Sequence, residues 1–350
     1  MKTVQWVNNP VNLRTILLLK ILSNNINIKY VSLNTLFYLI LILKILIPMD
    51  NSVRLSHTKV PEEYQFNFEG FNYYCTIQKS EFKKCNPIVV LGGAFQNMQS
   101  WSKHLEYYVQ LADVVLVDLP GTGKSDILPH EYSIEFLAST LHHLLLKLKI
   151  DKIEMVCASY GTPIGIIFAS TFREMVSKLI LIGTMKAFPP HRRKQVEYSF
   201  ETLSSNNMST FSNDILEILM NRDRIDSIRR YAAVHKVLSK IVKNTNQDGK
   251  CKYVENSKRL LNYTPGENIF SFDAPTLIFT GEHDSFTRPE FCREIASTLK
   301  NATFTTIQES DHLCSNEQFA ITNKLIAAFL LNNDLNAIEG INKVEIFSSN

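Results

Sequence analysis

Short apolar runs alternate with longer amphipathic stretches along most of this 350-residue chain. Residues 63–79 alternate with period two on either side of Glu69-Gly70, which predicts a β-hairpin. PIVVLGG (87–93), ADVVLVDLPGTGKSD (112–126), KIEMVCAS (152–159), KLILIGT (178–184), APTLIFTGEHD (274–284) and the run from Ala302 to Gln308 read as buried strands. Helical spacing fills the gaps at 98–111, 133–148, 160–172, 289–299 and 316–331. Strands alternating with helices predict an α/β fold, with a mainly parallel sheet covered on both faces. The leading hairpin adds an antiparallel edge.

The alternation stops over 186–270, where the chain is polar, charged and helical in period, with apolar positions such as Ile215, Ile218 and Leu219. This block reads as a helical cap inserted after the sixth strand, roofing a pocket and excluding water. The core is then 60–185 with 271–331. The tail 332–350 is Asn-rich and shows no compelling element.

Residues 1–48 stand apart. They hold five basic residues and no Asp, Glu, Gly, Ala, Cys or His. Val31 to Pro48 is apolar enough for a membrane helix, although Lys44 sits inside it. No small-residue cleavage site is evident. Two readings stay open: a membrane anchor, or a non-native extension ahead of Met49, where the composition becomes ordinary. Mass spectrometry of the mature N-terminus separates them.

The net charge of +3 is small and gives no reason to expect a nucleic-acid partner. Six scattered cysteines form no CxxC pair, and nine histidines form no HxxxH or HxH pattern. This favours free thiols in a reducing, cytoplasmic setting, with membrane association only through residues 31–48. Neither a metal nor a cofactor is implied. GKS in DLPGTGKSD suggests a phosphate loop, but the glycine such a loop needs five residues before Gly123 is Asp118.

The candidate chemistry centres on MVCASYGTPIG (155–165). It places Ser159 at a turn between strand and helix, with Gly161 and Cys157 two residues to either side. A serine hydroxyl attacks well only when a base takes its proton and an acid orients that base. Asp284 and His312 follow at the ends of consecutive strands. Two backbone N–H groups must meet the developing oxyanion. Tyr160 and Ala94 are the expected donors, with Phe95 as runner-up, and Gly93 and Phe95 are the expected pocket wall. Glu282, His283 and Asp311 read as turn or solvent residues.

LGGAFQ, DLPGTGKSD, CASYG, FTGEHD and SDH, in this order over roughly 60–331, resemble the α/β-hydrolase superfamily. The resemblance implies a Ser159–His312–Asp284 triad and a nucleophile raised on a sharp turn. Serine at that position disfavours dehalogenase and epoxide-hydrolase chemistry, which in this fold uses an aspartate nucleophile. Two departures stand out: Gly92-Gly93 replaces the usual His-Gly, and Cys157 replaces a glycine. Together with GGAF and ASYG they look like the branch of rhamnolipid-pathway 3-hydroxyacyl-ACP acyltransferases.

The expected function is serine hydrolysis of an ester or thioester, with no cofactor required. The alternatives are acyl transfer from a 3-hydroxyacyl thioester and a non-enzymatic binding protein on the same fold. His191, Arg192, Arg193 and Lys194, with Arg222, Arg224, Arg229 and Arg230, would in the transfer reading greet an acyl carrier protein or a CoA.

Overall fold

The computed structural model describes residues 61–266 and 269–348. The apolar segment 1–48 lies outside them. Among the described residues no helix is long and apolar enough to cross a membrane.

Nine strands form one sheet: β1 (Glu62–Phe68), β2 (Phe71–Gln78), β3 (Ile88–Leu91), β4 (Val114–Asp118), β5 (Ile153–Ala158), β6 (Val176–Ile182), β7 (Thr276–Gly281), β8 (Asn301–Ile307) and β9 (Glu345–Ser348). Their spatial order is β1-β2-β4-β3-β5-β6-β7-β8-β9. β1, β2 and β9 run antiparallel to their neighbours, and the six strands from β4 to β8 in space are parallel. Fully buried parallel strands explain why IVVL, VVLVD and IEMVCA are continuous apolar runs without alternation. The expected hairpin turns at Glu69 and Gly70, both at positive φ.

Helices α1 (Ser102–Tyr108), α2 (Ile134–Leu148), α3 (Gly161–Thr171), α8 (Pro289–Thr298), α9 (Cys314–Glu317) and α10 (Phe319–Leu330) accompany the sheet. α2, α3 and α8 bury Leu141, Ile164 and Ile295 on one face, while α1 and α10 bury Tyr108 and Leu325 on the other. Between β6 and β7 stand α4 (Pro190–Ser204), α5 (Met208–Leu219), α6 (Tyr231–Lys243) and α7 (Gln247–Asn262). This insertion has its own apolar core, including Phe211, Ile215, Val234 and Leu238.

α7 is fastened to the sheet by Arg259, which is 2 % exposed. All five of its guanidinium N–H groups are used, on the carbonyls of Leu128, Pro129 and Tyr132, the Tyr160 hydroxyl and Asn256 Oδ1. Asn256 donates in turn to the Gly121 carbonyl and Lys252 to that of Gly123. The GKS loop is therefore the seat of α7, a structural role.

Three sequence readings need correction. The tail is not devoid of structure: it contains a short 3-10 turn, and β9 pairs with β8 and lays Phe347 against the core. Its pattern is inverted, with Ile346 77 % exposed and Glu345 turned to the Arg293 guanidinium, so alternation does not betray it. The last helix is broken at Gln318, whose backbone is non-helical and whose side-chain amide donates to the Gln308 carbonyl. The first helix starts as a 3-10 turn at Met98 and ends at Tyr108.

The structure also accounts for Cys157. Its side chain is fully buried and faces α3. A Cβ placed on Gly165 would lie 2.5 Å from the Cys157 sulfur. The space that a small residue at 157 would leave is supplied from the helix side, by Gly165. Gly165→Ala is thus expected to destabilise by about 1–3 kcal/mol through overpacking. In a Cys157→Ala background the same change should cost much less, because alanine is favoured over glycine in a helix by about 1 kcal/mol. Urea unfolding of the four proteins checks this; additive effects would show that the contact is not the cause.

Candidate active site

The sheet's strand order reverses between β3 and β5, and a crevice opens there beyond the carboxyl ends of the strands. β5 ends at Ala158 and α3 begins at Gly161, leaving two residues for the reversal. Ser159 takes φ +46°, in the left-handed region that costs a side-chain-bearing residue about 1 kcal/mol or more. The strand and helix nearly touch: a Cβ on Gly161 would lie 2.8 Å from the Leu91 carbonyl oxygen. This turn lifts the Ser159 hydroxyl into the crevice.

Two loops bring the partners. His312 Nε2 lies 3.1 Å from Ser159 Oγ, and His312 Nδ1 lies 3.0 Å from Asp284 Oδ2. The loop after β7 carries Asp284, and the segment after β8 carries His312. They meet because β7 ends in Gly281, where a Cβ would stand 2.3 Å from the carbonyl oxygens of Ser310 and Asp311. The His283 N–H donates to the Ser310 carbonyl across the same contact.

Asp284 is buried and thoroughly satisfied. Oδ1 accepts from the N–H groups of Phe286 and Thr287 at 2.8 Å, and Oδ2 accepts from the hydroxyls of Thr280 and Thr287. Burial by itself would raise its pKa, but the His312 imidazole and those hydroxyls outweigh burial and hold it below the ordinary carboxylate value. For His312, burial works downward, and the Asp284 carboxylate overcomes it, so the imidazole sits above its ordinary value. The Phe286 ring packs edge-on against His312 at 5.0 Å and keeps one side apolar.

Beside Ser159, the loop after β3 turns through Gly92 and Gly93. A Cβ on Gly93 would come within 3.1 Å of Ser159 Cβ. The Gly93 N–H donates to Gln96 Oε1 at 2.7 Å. The N–H groups of Ala94 and Tyr160 meet no acceptor among the described residues. Phe95 follows at φ +61° and stacks on Tyr253 of α7 at 5.1 Å. The Tyr160 hydroxyl is held by Arg259 and Asn256.

A cavity of about 490 Å³ opens on Ser159 and His312, and a second of about 180 Å³ lies beyond Phe95. All of the sequence-predicted site residues line one or both, except buried Asp284. Sequence reasoning missed Thr280, Thr287, Gly281 and Gln96, which carry no motif and act only through the fold. It also placed Asp311 as a turn or solvent residue. Asp311 is fully buried, and burial together with the Asp284 charge pushes its pKa up to about 6. Its carboxylate accepts from the Asn221 N–H, tying the insertion to the His312 loop.

Several of the basic residues of the insertion are engaged within the molecule. Arg192 is buried and donates to the Ser285 carbonyl, Arg193 donates to that of Leu261, and Arg229 pairs with Glu309. His130, Glu131 and Glu255 bring three ligand-type atoms together, and Glu255 Oε2 accepts from the His130 backbone N–H and meets its Nδ1 at 2.8 Å, joining α7 to the loop after β4.

Residues 86–315 match the family model described as the alpha/beta hydrolase fold. The chain is 25 % identical over 277 residues to "Epoxide hydrolase 3" of Xenopus tropicalis, covering 71 % of this chain and 72 % of that protein. It is also 25 % identical to a 2-hydroxy-6-oxononadienedioate/2-hydroxy-6-oxononatrienedioate hydrolase of Klebsiella pneumoniae, covering 69 % and 86 % of the two chains. Among solved structures, the enol-lactonase from Burkholderia xenovorans superimposes with a TM-score of 0.66 at 18 % identity, over 76 % of this chain and 99 % of that one. Sheet order, a left-handed serine at the switch point and the family match lead to one conclusion: the chain belongs to the α/β-hydrolase fold family of enzymes.

Proposed function

We propose that this enzyme is a serine hydrolase of carboxylic esters or thioesters. The observation that carries the reading is the continuous array Ser159 Oγ, His312 Nε2, His312 Nδ1 and Asp284 Oδ2, with steps of 3.1 and 3.0 Å. A hydroxyl within hydrogen-bond reach of an oriented imidazole is the arrangement that nucleophilic acyl chemistry needs.

The reaction runs in two halves. Ser159 Oγ bonds to the substrate carbonyl carbon while His312 takes the hydroxyl proton. The carbonyl oxygen becomes an oxyanion facing the N–H groups of Ala94 and Tyr160. The bond to the leaving group breaks, and His312 returns the proton to the departing alkoxide or thiolate. Water then adds to the acyl-enzyme, giving its proton to His312. Collapse releases the acid and restores the Ser159 hydroxyl. Asp284 stays ionised throughout and stabilises the imidazolium that forms twice per cycle.

The epoxide-hydrolase name of some relatives is not carried over, because the position that would need an aspartate nucleophile is Ser159. In this reading the partner is a small-molecule ester or thioester. A transferase version differs only in using an acceptor hydroxyl in place of water, with a carrier-bound or CoA-bound acyl donor.

A fluorophosphonate probe is expected to label Ser159 in the folded protein and to leave Ser159→Ala unlabelled. The same substitution should lower kcat on p-nitrophenyl butyrate by about 10⁴-fold or more. Absence of a Ser159 adduct in folded wild-type protein would overturn the proposal.

The pH dependence follows from His312. Its folded-state pKa is raised, and the base must be neutral to act. Activity should therefore appear only as pH climbs through that raised value, placing the acid limb of kcat/KM above the ordinary 6.5 of an imidazole. Asp284→Asn removes the charge that raises it, so the limb should move down while kcat falls by about 10⁴-fold. A limb at or below 6.5 in the wild type would contradict the assigned coupling.

A further inference from the structure

The insertion bonds to the loops that carry the acid and the base, and one of its residues bonds to both. Helix α5 ends at Leu219, which lines the cavity of about 490 Å³ that opens on Ser159. Two residues on, Asn221 joins two segments of the core. Its backbone N–H donates to the Asp311 carboxylate, and its Nδ2 donates to the His283 carbonyl at 2.8 Å. Asp311 immediately precedes His312, and His283 immediately precedes Asp284. Asn221 Oδ1 accepts from the Asp223 N–H, which caps the following 3-10 turn and fixes which way the amide points. Arg192 bonds only to the Asp284 loop, at the Ser285 carbonyl. Arg229 and Arg230 bond only to the segment around His312, at Glu309 and Asn316. Among the described residues, Asn221 is the insertion residue whose hydrogen bonds hold both loops.

The Asp311 end of this contact is fully buried. Its second carboxylate oxygen has the Ser285 N–H at 3.4 Å, and its own N–H donates to Glu317 Oε2 at 2.6 Å. The charged and titratable groups around it are Asp284, His312, Glu317 of α9, Arg192 of α4 and Tyr231 of α6. A buried carboxylate beside two others depends on its N–H donors, and the Asn221 N–H is one of them. The His312 ring has two demands to meet at once, Ser159 Oγ at 3.1 Å and Asp284 Oδ2 at 3.0 Å. Displacing either loop by about an ångström spoils one of the two, and misplacement on that scale can cost about 10²-fold in rate.

We infer that Asn221 is a positioning residue, the clamp by which the insertion holds His312 in register with Asp284. It touches neither the substrate nor the reacting atoms. The inference rests on the serine-hydrolase reading and adds to it a dependence of the triad's geometry on the insertion. Because the clamp follows Leu219 so closely, one stretch of chain both walls the cavity and aligns the base with the acid.

Three variants test it. Asn221→Ser keeps the backbone N–H and an oxygen for the Asp223 N–H, and it drops the donor to His283. Its kcat on p-nitrophenyl butyrate is expected to fall by about tenfold or more, with KM changed by about threefold or less. Asp311→Ala removes the acceptor of the Asn221 N–H, whereas Asp311→Asn keeps an oxygen there. The asparagine variant should therefore retain about tenfold more kcat than the alanine variant. This pair carries the test if Asn221→Ser does not fold. A further readout needs no turnover: the deshielded Nδ1 proton of His312, bonded to Asp284, should broaden or vanish from the proton NMR spectrum of Asn221→Ser. A kcat for Asn221→Ser within about twofold of wild type overturns the clamp, even if the variant melts at a lower temperature, since that would mark a merely structural role. Equal kcat for the two Asp311 variants, or an unchanged Nδ1 resonance, overturns it too. If the wild type neither cleaves the ester nor takes the fluorophosphonate on Ser159, the hydrolase reading falls, and the Nδ1 resonance alone decides the clamp.

Discussion

Everything at this site depends on how closely β5 and α3 approach one another at Ser159. A strand that reverses into a helix within two residues must bring its backbone against the neighbouring strand, and β3 is that neighbour. Gly161 tolerates the Leu91 carbonyl, Gly93 tolerates Ser159 Cβ, and Gly165 tolerates the Cys157 sulfur. The result of this crowding is a hydroxyl standing clear of the sheet, with its conformational strain sustained by a fully buried strand on one side and an apolar helix on the other. A looser turn would let Ser159 relax, and the hydroxyl would drop back toward the backbone.

Burial then decides the electrostatics. A carboxylate with no exposed surface would ordinarily take up a proton. Asp284 keeps its charge because two backbone N–H groups, two threonine hydroxyls and the His312 imidazole all point at it. The low dielectric that makes an unpaired charge costly also makes this paired one an effective anchor for a nearby imidazolium. Asp311 and Glu317, buried in the same neighbourhood, lack comparable support, and their pKa values are pushed up to about 6 and about 8. Asp284 and Asp311 both act on His312, and the contrast between them comes from hydrogen bonding more than from depth.

Much of this is legible in the chain. Buried parallel strands announce themselves as unbroken apolar runs, and Ser159, Asp284 and His312 sit where those runs end. The hairpin turn at Glu69-Gly70, the glycine loop at 92–93 and the helical block after β6 follow from equally local signals. What escapes is whatever depends on contact between distant segments. Thr287 supports Asp284 from the same loop, yet nothing marks it out from other threonines until that loop is folded. Gly281 reads as a strand-end glycine, while its importance lies in the carbonyls of residues 310 and 311. β9 hides because its apolar Ile346 points to solvent. Asp311 looks like a turn residue because burial is not written in its neighbours.

Ser159 and His312 are 153 residues apart, and the helical insertion lies between them. Closing so long a loop costs conformational entropy before any contact is gained. During synthesis the serine emerges first, with neither base nor acid beside it, and its hydroxyl is then as unreactive as any other alcohol. Only when β7 and β8 have joined the sheet does the imidazole arrive. On the serine-hydrolase reading proposed above, the nucleophile is silent in every incomplete form of the protein, and reactivity toward a serine-directed reagent would report completed folding.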